Sequence, residues 1–411
     1  MNIDKQNLVV SVIVPARNEE ACLASCLESV VTQTGIDFEI IVVDDASTDR
    51  TAEVARSFST ADIGEGALTR PNDHTNHGGT VTPARPKLTL ISAPPLPENW
   101  TGKNNAMAAG AKVATGKWLL FSDADTVHKP GSLVRAVAET EQHGSALLSY
   151  SPEQEVHSFW EKAVMPVIFA ELAATYPPSK VNDPASPVAA ANGQYLLISR
   201  EAYDEVGGHT QIASDLLEDV AMARLVKSSG RKIFFRYGGD AVRTRMYRSW
   251  SQMREGWTKN LALLFAKPSE LAQRRIVEFM LLIVIPWVVA RSNYWRVPSS
   301  GLPPTWSRGY ALIFGTCAVV AFILSAAEFL GRMRRAHFSW SSTAAAFFGL
   351  PIFGYLLLRS ARAYKNSRFD WKDRTYVYTQ DELEALTGKK SAPEGSMWRT
   401  LRMWISSLSH T

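Results

Sequence analysis

Short apolar runs that end in acidic or turn-forming residues alternate with amphipathic stretches over the first two thirds of the chain, and longer apolar runs fill the last third. Residues 8–14 read as a buried strand stopped by Pro15. Residues 21–31 follow as a helix, with Cys22, Leu23, Cys26, Leu27, Val30 and Val31 on one stripe. Residues 38–43 form a second strand running into Asp44-Asp45-Ala46-Ser47-Thr48-Asp49-Arg50-Thr51, a tail that supplies strand-end carboxylates and an N-cap for a helix over 51–58. Strand, helix, strand, helix at this spacing predicts a doubly wound, mostly parallel α/β sheet whose ligands sit at the carboxyl ends of the strands. Further strands are expected at 87–92, 118–121, 146–150, 196–199 and 233–237. Helices are expected at 105–113, 132–143, 158–175 (interrupted by Pro166) and 216–227. Residues 59–86 have no period and are rich in Gly, Thr, Pro, Asn and His, which reads as a mobile surface insert in a first domain covering 1–267.

The last third reads as a membrane region, 268–360, with apolar segments near 276–295, 309–330 and 338–358. The first carries Glu278 and Pro286 and is short; the other two approach the length of roughly 20 residues that spans a bilayer. Arg332, Arg334 and Arg335 follow the second segment, and Arg359, Arg362, Lys365, Arg368, Lys372 and Arg374 follow the third. The positive-inside rule puts the denser cluster in the cytoplasm, which two full spans satisfy and three do not. The expectation is a multi-pass protein of the cell membrane with a cytoplasmic catalytic domain. In the basic tail, 361–411, Trp398, Leu401, Trp404, Ile405 and Leu408 make a stripe suited to an interfacial helix at 396–409.

Composition adds little to this. A formal net charge of +4 over 411 residues, without a basic stripe before residue 230, argues against a nucleic-acid partner. Cys22, Cys26 and Cys317 lack the spacing of a disulfide framework or metal site and read as buried thiols. His74, His77 and His128 share no fixed spacing and do not suggest a metal site. Met1 to Val10 has no basic region followed by a long apolar segment, so the first domain is expected not to be exported.

The candidate chemistry starts where the apolar run Trp118-Leu119-Leu120-Phe121 breaks into Ser122-Asp123-Ala124-Asp125. Two carboxylates one residue apart at a strand end suit Mg²⁺ or Mn²⁺ carrying a diphosphate, because such ions take one or two carboxylates plus phosphate oxygens. Asp-x-Asp after a strand is also ordinary turn chemistry. Gly102 allows close backbone approach at a helix start, where Lys103 can meet phosphate; without Gly-x-x-x-x-Gly-Lys this is no P-loop. Glu218 and Asp219 open a helix, where acids are by themselves plain dipole complements. Arg243, Arg245, Arg248, Trp250, Arg254, Trp257 and Lys259 form a basic, aromatic stretch suited to a membrane interface or to a diphosphate, with Arg245, Arg254 and Trp257 as candidate diphosphate or acceptor contacts. The helix 158–175, with Phe159, Trp160, Met165, Val167, Ile168 and Phe169, is either plain core or the wall of a greasy acceptor groove.

Val12-Ile13-Val14-Pro15-Ala16-Arg17-Asn18-Glu19, Val43-Asp44-Asp45, Asp123-Ala124-Asp125 and Glu218-Asp219 occur in one order, and across about 7–267 the chain resembles the family 2 glycosyltransferases, inverting enzymes of the GT-A fold. Pro95-Leu96-Pro97-Glu98-Asn99-Trp100-Thr101-Gly102-Lys103 and the apolar segments look like the membrane-attached subgroup of hopanoid and carotenoid pathways, including the diaponeurosporenoate glycosyltransferases. The resemblance implies that Pro15, Arg17, Glu19 and Asp45 hold the nucleoside of a nucleotide-diphosphate sugar, a UDP-sugar foremost. It implies that Lys103 and Asp123 lie at the sugar diphosphate, that Asp123 and Asp125 hold Mg²⁺ or Mn²⁺, and that Asp219, with Glu218 beside it, is the catalytic base. The implied reaction moves a single sugar to a membrane lipid. Two departures stand out: Ala108 replaces a frequent Asn, and Gln252-Met253-Arg254-Glu255-Gly256-Trp257 replaces the Gln-x-x-Arg-Trp of processive synthases, which counts against a polysaccharide polymerase. A polyprenyl-phosphate acceptor stays open. Nucleotidyl transfer would normally show a Gly-rich basic loop after the first strand, where this chain has Pro-Ala-Arg-Asn-Glu. A non-catalytic nucleotide-binding membrane protein would have no need of Asp123, Asp125 and Asp219 together.

Overall fold

The computed structural model describes residues 9–59, 86–287, 304–365, 368–371 and 374–377. The expectations for the insert 59–86, apart from its two end residues, and for the helix at 396–409 lie outside them. Strands β1 (Val10–Ala16), β2 (Phe38–Asp44) and β3 (Lys87–Ser92) alternate with helices α1 (Leu23–Val31), α2 (Thr51–Ser57) and α3 (Gly102–Val113). Next come β4 (Trp118–Phe121), β5 (Thr126–His128), α4 (Ser132–His143), β6 (Leu147–Ser151), β7 (Glu153–Gln154), α5 (Phe159–Thr175) and α6 (Pro178–Val181). The unit closes with β8 (Leu196–Ser199), α7 (Arg200–Glu205), α8 (Glu218–Ser228), β9 (Ile233–Tyr237), β10 (Val242–Thr244) and α9 (Trp250–Leu264). The main sheet has the order β3-β2-β1-β4-β8-β6-β9, and β8 alone runs antiparallel to its neighbours. This is the doubly wound, mostly parallel sheet expected from the strand and helix pattern. A second, three-stranded sheet, β5-β10-β7, hangs from the end of β4 and aims the segment around Asp125.

Pro15 does not stop the first strand. Ile13 O accepts from Ser122 N on the β4 side at 3.0 Å. Pro15, two residues on, therefore turns its missing N–H to that same side, past the last β1–β4 pair at Ile13–Phe121, while pairing with β2 continues to Ala16–Asp44. Nor does Pro166 interrupt α5. The helix starts at a capping box between Ser158 and Glu161 and runs unbroken through Pro166. Pro166 gives up one backbone bond, and the burial of its neighbours Val164, Met165, Val167 and Ile168 in a shared core offsets that loss.

That core is not confined to the sheet domain. Helix α10 (Pro268–Phe279) follows α9, and two long apolar helices come after it, α11 (Pro304–Arg334) and α12 (Trp340–Lys365). Val164, Ile168, Trp257 and Leu261 of α5 and α9 share one buried cluster with Leu350, Phe353 and Leu357 of α12. The approach of α12 to α5 is set by Gly349: a Cβ there would lie 1.8 Å from Ala163 O. We predict that Gly349→Ala lowers unfolding stability by about 1–3 kcal/mol, the usual cost of overpacking. An unchanged denaturation midpoint would show that the two helices do not meet this closely. The far end of α12 is fixed as well, with Ser360 Oγ donating to Thr258 O at 2.6 Å and Tyr364 Oη to Lys259 O at 2.6 Å. Arg332, one of the three basic residues that follow the second apolar segment, is buried in a four-membered ionic cluster with Glu171, Arg275 and Glu278 that ties α5, α10 and α11 together. Cys317 is exposed rather than buried, because among the described residues none covers that part of α11.

Candidate active site

The carboxyl ends of β1, β2, β4, β6 and β9 open into one cavity of about 1060 Å³. Its floor on the β1–β2 side is a pair of interlocked loops. Arg17 Nη1 donates to Asp45 O at 2.7 Å, Thr48 N to Asn18 Oδ1 at 2.9 Å, and Glu19 N to Thr51 Oγ1 at 2.8 Å. Asn18 and Ala46 hold left-handed backbone at φ 53° and 54°. For Ala46 that is strained, the kind of local cost found at ligand-binding turns. Pro15, Arg17, Glu19 and Asp45 all line the cavity.

Asp123 and Asp125 line it at the end of β4. Behind them, His128 is buried against Ser122, with Nε2 3.0 Å from Ser122 Oγ, and burial pulls its pKa down to about 3, so it stays neutral. Thr244 of β10 donates to Asp125 O at 3.2 Å. The donor set suits a hard divalent ion: two carboxylates one residue apart face a space large enough for a diphosphate. Among the described residues no third His, Cys, Asp or Glu completes a protein-only cage. An octahedral ion that completes its shell with phosphate and water fits such a half-built site, and a closed four-ligand zinc site does not.

Opposite β4, α8 carries Glu218 and Asp219. Lys103, one residue into α3, reaches across to bridge the two sides, 2.7 Å from Asp123 Oδ1 and 2.6 Å from Glu218 Oε1. Its position depends on Thr101 capping α3 and on Asn104 donating to Ile212 O and Asp215 O, at 2.6 Å and 3.0 Å. Burial opposes the charge on Lys103, yet Asp123 and Glu218 outweigh it and hold its pKa well above the usual lysine range. Burial would likewise raise Glu218, but Lys103 and Lys259 keep it below the ordinary carboxylate value. Asp219 goes the other way. Burial and the neighbouring charge of Glu218 push it up to about 6, against the pull of Lys103 and of two backbone donors, Val220 N and Gly193 N, each at 2.8 Å. Two adjacent carboxylates are thus driven apart, one a fixed anion in an ion pair and the other poised to take a proton near neutral pH.

Residues 11–78 and 91–207 match the family model described as Glycosyl transferase family 2. Over a little under half of its length the chain is thus similar to this family. Among curated proteins it is 29% identical over 264 residues to the 4,4'-diaponeurosporenoate glycosyltransferase of Staphylococcus haemolyticus (strain JCSC1435), a match covering 62% of this chain and 61% of that protein. It is 27% identical over 261 residues to the protein of the same name from Staphylococcus aureus (strain USA300), covering 62% and 60%. The match therefore spans about three fifths of the length of these relatives. Among solved structures it is similar to the mannosyltransferase PcManGT from Pyrobaculum calidifontis in complex with GDP-Man and Mn2+, with 18% identity, a TM-score of 0.46 and 86% of each chain covered.

Most of the family 2 residues expected from the motifs converge on the cavity, and three of the basic-segment candidates divide. Arg245 lines it but is held by Glu161 at 3.0 Å, so it anchors the start of α5. Trp257 lines it and is 2% exposed. Arg254 is not among the lining residues. The motifs missed Gly193, whose backbone N–H binds Asp219 and whose Cβ, were there one, would lie 3.1 Å from Glu218 Oε1. They also missed Tyr176 and Tyr237, and the turn after α11, all of which line the same space, as does Lys259 from the basic stretch. Asn192-Gly193-Gln194 preceding a strand was a visible signal of close backbone approach; Tyr176 and Tyr237 gave none.

Proposed function

We propose that this chain moves a single sugar from a nucleotide-diphosphate sugar to the head of an apolar membrane lipid, inverting the anomeric centre in one displacement. The carrying observation is that Asp123, Asp125, Asp219 and the apolar side chains Phe169, Leu172 and Trp257 line one cavity. Asp45 and the loop 15–19 would take the nucleoside, and Lys103 the diphosphate. Mg²⁺ or Mn²⁺, held by Asp123 and Asp125, would supply neutralising charge at the leaving diphosphate. Asp219 would accept the acceptor's proton through whichever oxygen is freer of Gly193 N and Val220 N, while the packed α5 and α9 wall excludes water from the attack line. The relatives are named for transfer to a carotenoid acid, which supports an isoprenoid or carotenoid-like acceptor. The membrane location and cytoplasmic active site proposed here place the tail beyond α12 in the cytoplasm. A cysteine at position 380 should then resist an impermeant thiol reagent in intact cells, and labelling there would overturn the topology.

The direct test is slow donor hydrolysis across a panel of UDP- and GDP-sugars with Mn²⁺, followed by mass spectrometry of membrane lipids with and without the protein. Release of nucleoside diphosphate from one donor and appearance of a glycosylated lipid are expected. No turnover of any nucleotide sugar would sink the reading in favour of nucleotide binding without catalysis.

A further inference from the structure

Helices α11 and α12 both reach a mean hydropathy of 1.5 over a membrane-length window, yet the structure treats them differently. Helix α12 is docked on the sheet domain at both ends. Its C-terminal end is bonded to Thr258 and Lys259 of α9, and just before its N-terminal end the ring of His337 stacks on Tyr237, the last residue of β9, at 3.9 Å and 6°. If α12 crossed a bilayer it would drag α5 and α9 into the hydrocarbon, with Lys162, Arg254, Glu255 and Lys259 on them. Helix α11 leaves the domain instead. Between Arg308 and Glu328 it has no charged residue, a stretch of about 28 Å at helical rise, close to the thickness of a bilayer core of about 30 Å. Ile313, Val319, Ile323 and Leu324 along it are 56–65% exposed, and Val277 and Trp287 on the outgoing segment after α9 are exposed beside it.

Arg334 and Arg335 sit where α11 returns to the domain, and both line the catalytic cavity. Among the described residues no carboxylate is in ion-pair distance of either, whereas Arg332 one turn earlier is fully engaged. The stack of His337 on Tyr237 puts the turn over β9, three strand spacings or about 14 Å from β4 and its Asp123. Trp340, 73% exposed just past the turn, and the exposed Phe159 and Trp160 at the start of α5 add the aromatic residues favoured at the headgroup level.

We propose that α11 and the apolar residues 280–287 after α10 enter the bilayer while α12 stays docked, and that Arg334 and Arg335 bind the phosphates of anionic phospholipids, holding the cavity mouth in the headgroup layer. The inference borrows from the proposed function only the purpose of such a mouth, which is to admit a lipid acceptor. Two measurements on the full chain in nanodiscs test it. Fluorophores on Ile323→Cys, Tyr355→Cys and Ser341→Cys, each combined with Cys317→Ser, should show strong quenching by brominated acyl chains at position 323 alone; equal quenching at 355, midway along α12, would overturn the docked assignment. Native mass spectrometry should find phosphatidylglycerol retained by the wild type and retained about tenfold less by R334Q/R335Q. The thermal denaturation midpoint of that variant should match the wild type and serves as its folding control. Retention equal to wild type would overturn the lipid site, as would a loss of acceptor use that is the same in neutral and anionic nanodiscs, which would mean the arginines hold the acceptor. Failure of all donor turnover would sink the transferase reading but leave quenching and lipid retention intact as readouts.

Discussion

Asp219→Asn is expected to cut transfer to a lipid alcohol by about a hundredfold or more while sparing much of any transfer to a lipid acid. An alcohol must lose a proton as it attacks, whereas a carboxylic acid is already ionised near neutral pH. Asparagine keeps the shape and can still accept from Gly193 N through its amide oxygen, so the pocket should survive. A pH profile sharpens the test. With Asp219 raised to about 6, the basic form is lost as pH falls, so the wild-type rate on an alcohol should drop about tenfold per unit below that value. The same shift bears on stability. A carboxyl that binds its proton more tightly folded than unfolded makes the fold less stable as pH rises from about 4 to 6, and that loss is complete above 6. Asp219→Asn should therefore melt at or above the wild-type temperature at pH 7.5. Equal losses on both acceptors, with no change in the acid limb, would give Asp219 an orienting role in place of proton transfer.

Asp125→Ala should abolish metal-dependent nucleotide binding, the second large effect. The other carboxylate of the pair, Asp123, is already engaged by Lys103 at 2.7 Å, and one shared carboxylate leaves a hard ion with too few protein oxygens to be fixed against a diphosphate. Calorimetric titration of UDP with and without Mn²⁺ reads this without any turnover. Wild-type affinity and metal dependence in the variant would remove Asp125 from the metal site.

The sheet was legible because buried parallel strands are short apolar runs whose ends are marked by polar residues: β3, β8 and β9 fall at the residues expected, and the strand-end acids fall into one cavity. Pro15 misled because proline's effect depends on which neighbour its missing N–H faces, and that is decided by register. The two long helices could not be separated by hydropathy, which is equal for both. What distinguishes them is a stripe of small residues on α12, Ser342, Ala346, Gly349 and Ser360, all buried and at helical spacing, which permits close helix packing. The partners in the Arg332 cluster are drawn from positions 171, 275 and 278, and nothing local announces that they meet. Nor does any motif announce that a turn at 335–339 will roof a cavity built from residues 15 to 260.

The contact of Gly349 with the backbone of Ala163 bears finally on modularity. A boundary drawn at residue 267 follows the change in composition, but the buried cluster crosses it, so the catalytic sheet and α12 are one folding unit. Fragment 1–267, made in the hope of a soluble enzyme, would present the uncovered faces of α5 and α9 to water and would lack one wall of its own substrate cavity. Transplanting the sheet domain onto another membrane anchor is open to the same objection. Any shortened form meant to keep its fold must carry the chain through Tyr364, whose hydroxyl closes the last bond to α9.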